Sequence, residues 1–395
     1  MNAFSYYCPT RLVFGAGVTS QTGQIVAGLG VRSVLLASGS GATRTSAGFA
    51  AVRASLEAAG IQYRLFDKVL PDPTAAQVAE AAGIIREAGL QAVVAYGGGS
   101  PIDCAKSAAL SAANGIPRLD FIYGKSRPEK PALPIIAIPT TAGTGSEMSN
   151  AAVTTDRDNN RKLGFSHESF FPQVAIVDPE NQVSMPPSVT AATGMDAMTH
   201  VIESFLSLAA NPVADGIDLQ SVSMMAKALP VAFADGKNLE ARSAMAIASA
   251  TAAAAFSQTG LGMVHGFAHP VGARHGLAHG VANAIILPFV LAALARDAAP
   301  RMRDLAVAMG ACPSGASPAE GADALVRSIA SMKTTLGIPA GLGDAGVNPE
   351  HAPAILADAL TYRMRARSSR QFTDAELGRL LDAAIAGDLE AARLR

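Results

Sequence analysis

At 395 residues the chain exceeds what one hydrophobic core ordinarily organises, so two domains are expected, each with an interior of its own. Hydrophobic residues make up 49% of it and charged residues 16%, which suits a compact soluble fold with much of the chain buried. The 31 basic and 32 acidic side chains leave a formal charge of -1 with no long run of one sign, which excludes an electrostatic grip on nucleic acid or an anionic membrane; a small-molecule partner is expected.

In chain order, an apolar strand is read at Arg11–Phe14, followed by strands near Ser33–Ser38, Gln62–Phe66, Ala92–Tyr96, Pro134–Ile138 and Val174–Val177. Ala-rich segments of helical periodicity, such as Thr74–Ala88 and Ile102–Ala113, lie between them and are long enough for crossover helices. After Asp178-Pro179 the β-branched runs thin out, and Ala, Leu and Met-rich stretches punctuated by Gly and Pro continue to the end. The expected fold is an α/β nucleotide-binding domain with a largely parallel sheet over residues 1–186, then an all-helical metal-binding and catalytic domain over residues 187–395. Ser243–Val264 is free of charge, but its Ala, Ser, Thr and Gly content suits a buried helix better than a bilayer span. Cys8, Cys104 and Cys312 are odd in number and far apart, and no basic-then-apolar leader opens the chain, so a cytoplasmic protein is expected.

The strand Ala92–Tyr96 runs straight into Gly97-Gly98-Gly99-Ser100 and a helix. Ser100 suits the N-cap, Pro101 the first helical position, and Asp103 completes a capping-box-like pair. Bare glycine N–H groups at a helix N-terminus would hold a pyrophosphate, although a tight turn with no ligand reads the same way. A second strand end leads into Thr140-Thr141-Ala-Gly-Thr-Gly-Ser-Glu147, so Thr140 and Thr141 are candidate partners for cofactor phosphate or ribose, or else turn-builders.

His200, His265, His269, His275 and His279 are five of the seven histidines, all in the helical half. Asp196 and His200 lie four apart, as do His265 and His269, which on a helix puts each pair on one face. His279 follows Pro270, Gly272 and Gly276 and is expected to begin the next helix, folding back on the first. One carboxylate with three imidazoles suits a divalent borderline metal and leaves a position for a substrate oxygen; an alcohol bound there loses its proton readily, and its alkoxide gives hydride to nicotinamide. Singly, each of these histidines could as well be a core or surface residue.

Four segments carry a resemblance: Gly97-Gly-Gly-Ser-Pro-Ile-Asp-Cys-Ala-Lys106, Pro139-Thr-Thr-Ala-Gly-Thr-Gly-Ser-Glu147, Gly194-Met-Asp-Ala-Met-Thr-His200 and Gly262-Met-Val-His-Gly-Phe-Ala-His-Pro-Val-Gly272. They are similar to the iron-containing (group III) alcohol dehydrogenases, from about Phe14-Gly15 to Leu287-Pro288. The resemblance implies a dehydroquinate synthase-like architecture with NAD or NADP on the N-terminal domain, Fe2+ or Zn2+ in the helical domain, and catalysis in the cleft between them. It implies Asp196, His200, His265 and His279 as metal ligands and His269 as a proton relay. Gly39, Gly97, Gly98, Gly99, Ser100, Thr140, Thr141 and Lys162 are the expected cofactor positions, and Asn150, Phe256 and Arg274 the expected substrate pocket. The implied substrate is a small alcohol, aldehyde or ketone, and the implied assembly a homodimer or higher homo-oligomer.

Three departures bear on specificity. Gly39 stands near where NAD-preferring relatives carry an Asp, so NADP is not repelled; Ala273-Arg274-His275 adds positive charge near the presumed site; and Arg363-Met-Arg-Ala-Arg-Ser-Ser-Arg370 replaces an Asn-Pro-Arg segment. A maleylacetate reductase-like enzyme, or a hydroxy acid or semialdehyde dehydrogenase using these arginines, is the alternative. From another class, a non-catalytic metal or nucleotide sensor would need a lost ligand or an added interaction domain, and the sequence offers neither.

Overall fold

The computed structural model describes residues 3–159 and 161–394. Tyr7–Ser184 form one compact unit, and the chain from Met185 onward, with the residues preceding Tyr7, forms another.

The first unit is built on six parallel strands in the order β1-β8-β5-β4-β2-β3: β1 (Arg11–Phe14), β2 (Ser33–Gly39), β3 (Gln62–Val69), β4 (Ala92–Gly97), β5 (Ile135–Pro139) and β8 (Val174–Val177). The inner strands are apolar on both faces because both are covered. Leu35, Val93 and Ile135 pack on one side against α3 (Ala75–Glu87) and α4 (Gly99–Asn114), while Val34, Val94 and Ile136 pack on the other against α1 (Thr22–Gly28) and α2 (Ala47–Ala58). A short α5 (Arg118–Ile122) follows α4. Thr74 caps α3 in a reciprocal box with Gln77. β3 and β4 flank β2 on opposite sides, so the chain reverses direction across the sheet there, and the crevice at the carboxyl ends of β2 and β4 is bounded by Gly39 and Gly97.

An antiparallel hairpin, β6 (Ala151–Asp156) with β7 (Arg161–Ser166), was not read in the sequence, although Ala151–Asp156 alternates between half-buried and buried positions. It is fastened to α4 from below. The Lys106 ammonium donates to the carbonyls of Ser149 at 2.8 Å and Ala151 at 2.9 Å, and the Asp103 carboxylate accepts from Ser146 Oγ at 2.6 Å and from the Val153 N–H at 2.9 Å.

These contacts correct the expected cap. Helix α4 begins at Gly99 with Gly98 as its uncapped N-cap, two residues ahead of Ser100. Asp103 is engaged with the hairpin, and Ser100 Oγ accepts the Asp72 N–H at 3.1 Å, so neither side chain serves the helix start.

From α6 onward the second unit is helical: α6 (Pro187–Phe205), α7 (Pro212–Ala234), α8 (Leu239–Thr259), α9 (Met263–His275), α10 (His279–Leu294), α11 (Ala299–Ala308), α12 (Pro318–Thr335), α13 (Ala352–Leu360) and α14 (Asp374–Ala386). Asn211, Asn238, Ser317 and Thr373 accept from the first-turn N–H groups of α7, α8, α12 and α14. The uncharged Ser243–Val264 stretch is mostly α8, ended by the Gly260-Leu261-Gly262 break, and no helix among the described residues is long and apolar enough to cross a membrane.

Replacing Asp103 with Ala leaves Ser146 Oγ and the Val153 N–H without their acceptor beside a buried lysine. Urea unfolding of Asp103→Ala should show a loss of about 2–4 kcal/mol; a midpoint equal to that of the native chain would mean that the hairpin is held by something else.

Candidate functional site

Asp196, His200 and Glu203 fall at i, i+4 and i+7 along α6 and therefore share one face, which is buried throughout. Opposite them, α9 presents His265 and His269, and the first turn of α10 presents His279 and, four residues on, Asn283. A Cβ on Gly280 would fall on the carbonyl oxygen of Ala192 and lie 3.3 Å from the Asp196 Cβ, so the missing side chain is what lets α10 come this close to α6.

The side chains converge on one small volume. His279 Nε2 lies 3.8 Å and His200 Nε2 4.0 Å from Asp196 Oδ1. The His200 ring is 4.8 Å from that of His265 and 4.6 Å from that of Phe256, which closes the site with an apolar face. Asn283 Nδ2 stands among the rest, 2.7 Å from Asp196 Oδ1 and 3.2 Å from Nε2 of both His265 and His279. Glu203 Oε2 lies 2.6 Å from His265 Nδ1 on the far side of that ring.

Electrostatics follow from burial. Desolvation alone would raise Asp196, but the facing rings of His200, His279 and His265 and the Asn283 amide outweigh it and hold the carboxyl below its ordinary value. Burial, reinforced by His200, pushes His265 well below the usual imidazole range, so its ring is neutral. Burial also pushes Glu203 up to about 7, against the N–H groups it accepts from around the start of α9.

This donor set fits a cation. One ligand atom each from Asp196, His265 and His279 lies within 4.8 Å of the others, and the place they surround is filled by the hydrogen-bond donor Asn283, whose own Oδ1 is buried without a partner. A carboxylate with neutral imidazoles is a borderline-metal set.

The remaining expected residues divide between the units. His269 lies beside this centre, its ring 5.3 Å from that of His279 and 5.6 Å from that of Tyr362. Arg274 instead makes two hydrogen bonds to Asp358 Oδ2, at 3.0 and 2.7 Å, and Arg365 lies 3.7 Å from Asp374, so both charges are already matched. In the first unit, a Cβ on Gly99 would lie 2.7 Å from the Thr144 methyl and one on Gly98 3.3 Å from Thr141 Oγ1, so the glycine loop and the threonine loop touch. Thr140 donates its N–H to the Gly97 carbonyl at 3.0 Å, and Gly39 lies 3.7 Å from Pro101 by the same measure. Lys162 pairs with Asp72 at 2.7 Å, and the Asn150 carbonyl accepts the His167 N–H.

Sequence reasoning missed Glu203, Asn283 and Tyr362. The signal for the first two was present: Glu203 continues the Asp196–His200 stripe by three residues, and Asn283 repeats the four-residue spacing after His279. Tyr362 reaches His269 from a distant segment, and no local pattern announces it.

A family model described as iron-containing alcohol dehydrogenase matches residues 9–179, and the C-terminal model of the same family matches residues 190–385. The chain is 36% identical over 356 residues to an NAD-dependent methanol dehydrogenase of Bacillus methanolicus, covering 90% of this chain and 93% of that one. It is 37% identical over 388 residues to a 4-hydroxybutyrate dehydrogenase of Cupriavidus necator, covering 96% and 99%. A solved 1,3-propanediol oxidoreductase superposes with a TM-score of 0.90 at 31% identity, covering 97% of this chain and 100% of the other.

A methyl group at position 280 must push α10 off α6. Gly280→Ala should lower the unfolding free energy by about 1–3 kcal/mol and reduce the divalent metal retained after dialysis. Native stability together with native metal content would show that the helices do not need this approach.

Proposed function

This chain belongs to the iron-containing alcohol dehydrogenase family, and from that we propose that Asp196, His200, His265 and His279 hold its divalent metal, with iron favoured over zinc. It is an oxidoreductase that moves hydride between a nicotinamide cofactor and small alcohols or aldehydes. The observation that carries the ligand reading is the convergence of ligand atoms of Asp196, His265 and His279 within 4.8 Å of one another, with His200 Nε2 4.0 Å from Asp196 Oδ1. When bound there, the ion supplies Lewis acidity toward the substrate oxygen.

The chain's own groups do the rest. Asp196, held ionised, cancels one of the cation's two charges, and neutral His265 offers a lone pair. Phe256, its ring 4.6 Å from that of His200, lines that side with an apolar surface. His269, between His279 and Tyr362, takes up and returns the hydroxyl proton. The N–H groups of Gly97, Gly98 and Gly99 and the open N-terminus of α4, with Ser100, receive the cofactor pyrophosphate; Thr140, Thr141 and Lys162 border it. Residues 1–186 thus serve the nucleotide and 187–395 the metal. Asn150 and Phe256 are read as contacts of the substrate.

An uncharged substrate is favoured over a hydroxy acid, because Arg274 and Arg365 already have carboxylate partners. Free cysteines suit a cytoplasmic enzyme, and β1, at the edge of the sheet, suits pairing with a second copy.

Metal analysis with steady-state kinetics tests the ligand reading. Asp196→Ala and His279→Ala should each lose the metal and at least about 10³-fold in kcat/KM, while nicotinamide binding to the first unit changes by less than about threefold. Stoichiometric metal in both variants would refute the assignment.

Cofactor choice is a separate matter. With Gly39 at the end of β2, no carboxylate repels a 2'-phosphate, so kcat/KM with NADP should lie within about tenfold of that with NAD, roughly 1.4 kcal/mol. Gly39→Asp should move the ratio toward NAD. A native preference above about a thousandfold would place the discrimination at another residue.

A further inference from the structure

Helix α9 starts on Gly262 with no capping side chain of its own. The cap comes from α6: Glu203 Oε1 accepts the Val264 N–H at 2.7 Å, and the second oxygen of the same carboxylate lies 2.6 Å from His265 Nδ1. Both side chains are buried, so water competes for neither contact. Gly262 has φ -125°, which any residue adopts, yet a Cβ there would lie 2.8 Å from Glu203 Oε1. That glycine makes room for a carboxylate.

A carboxylate only accepts hydrogen bonds, so the 2.6 Å contact is attractive when Nδ1 carries the ring hydrogen. The lone pair is then on Nε2, and the far side of the ring agrees: the Asn283 amide, a donor, faces Nε2 at 3.2 Å. We propose that Glu203 is a positioning residue that fixes His265 as the Nδ1–H tautomer and aims its Nε2 lone pair at the metal site, raising metal affinity without touching the ion. The inference rests on the ligand assignment above and adds a determinant on α6 that acts through a ligand on α9.

The test uses the full chain, labelled with ¹⁵N in its histidine rings, at pH 8. Long-range ¹H–¹⁵N spectra of the metal-free protein report the tautomer, and zinc titration against a chelator reports affinity. Native protein should show Nδ1–H at His265. Glu203→Ala should admit the Nε2–H form and weaken zinc binding by about 10–100-fold. Glu203→Gln keeps one acceptor for Nδ1–H and should restore the tautomer with only part of the affinity. Gly262→Ala keeps the charge but displaces it, and should weaken binding even if Glu203→Ala fails to fold. A carboxylate that merely caps α9 would lower the melting temperature in all three variants and leave tautomer and zinc affinity within twofold of native; that result overturns the proposal. Nε2–H at His265 in the native protein overturns it as well, whatever the zinc result. Failure of the native chain to bind zinc or iron would instead bring down the ligand assignment, and this inference with it.

Discussion

Asp196 sits on the buried face of α6 with 2% of its surface exposed, and an unpaired carboxylate in such a place costs several kcal/mol. The Asn283 amide and the His279 ring reach it from α10, which Gly280 lets approach α6 closely. Small residues suit such close approach. Gly280 rides over the Ala192 carbonyl, Gly194 lies beneath Leu229 of α7, and α8, buried on most sides, is rich in alanine, including Ala248, Ala250, Ala252 and Ala253.

The first unit solves a different problem with different means. The nucleotide site proposed for it is largely backbone at the ends of β2 and β4, where Gly39 and Gly97 are buried and residues 98–100 half-buried, and such a site requires a rigid floor. Lys106 and Arg118, both buried, and the half-buried Asp103 supply one at the hairpin; burial pushes the lysine down to about 8, against the pull of Asp103 and Glu147. Side chains that would be surface decoration elsewhere are here the struts that hold the hairpin and α4 together.

Most of the architecture could be read from residue order because it rests on local signals. Alternating apolar runs gave the parallel strands, and loss of β-branched runs after Pro179 marked the helical half. The Asp196–His200 and His265–His269 spacings placed each pair on one helix face, as found. What escaped was whatever depends on a partner far along the chain. Ser100 and Asp103 look like a capping pair until Asp72 and Ser146 are in view. Arg274 looks available until Asp358 stands beside it. The β6–β7 hairpin is short, half-polar and fastened by a lysine from a helix, so periodicity alone does not announce it.

The placement of Asp196, His200 and Glu203 on one unbroken helix limits how this chain can vary in length. One residue added or lost between positions 196 and 203 would turn everything downstream by about 100° about the helix axis and carry Glu203 away from His265. Substitution along α6 is graded, since a neighbour can often adjust; a change of register is not. A change in length between helices, such as in the stretch joining α12 to α13, alters no phase within α6 and leaves this alignment intact.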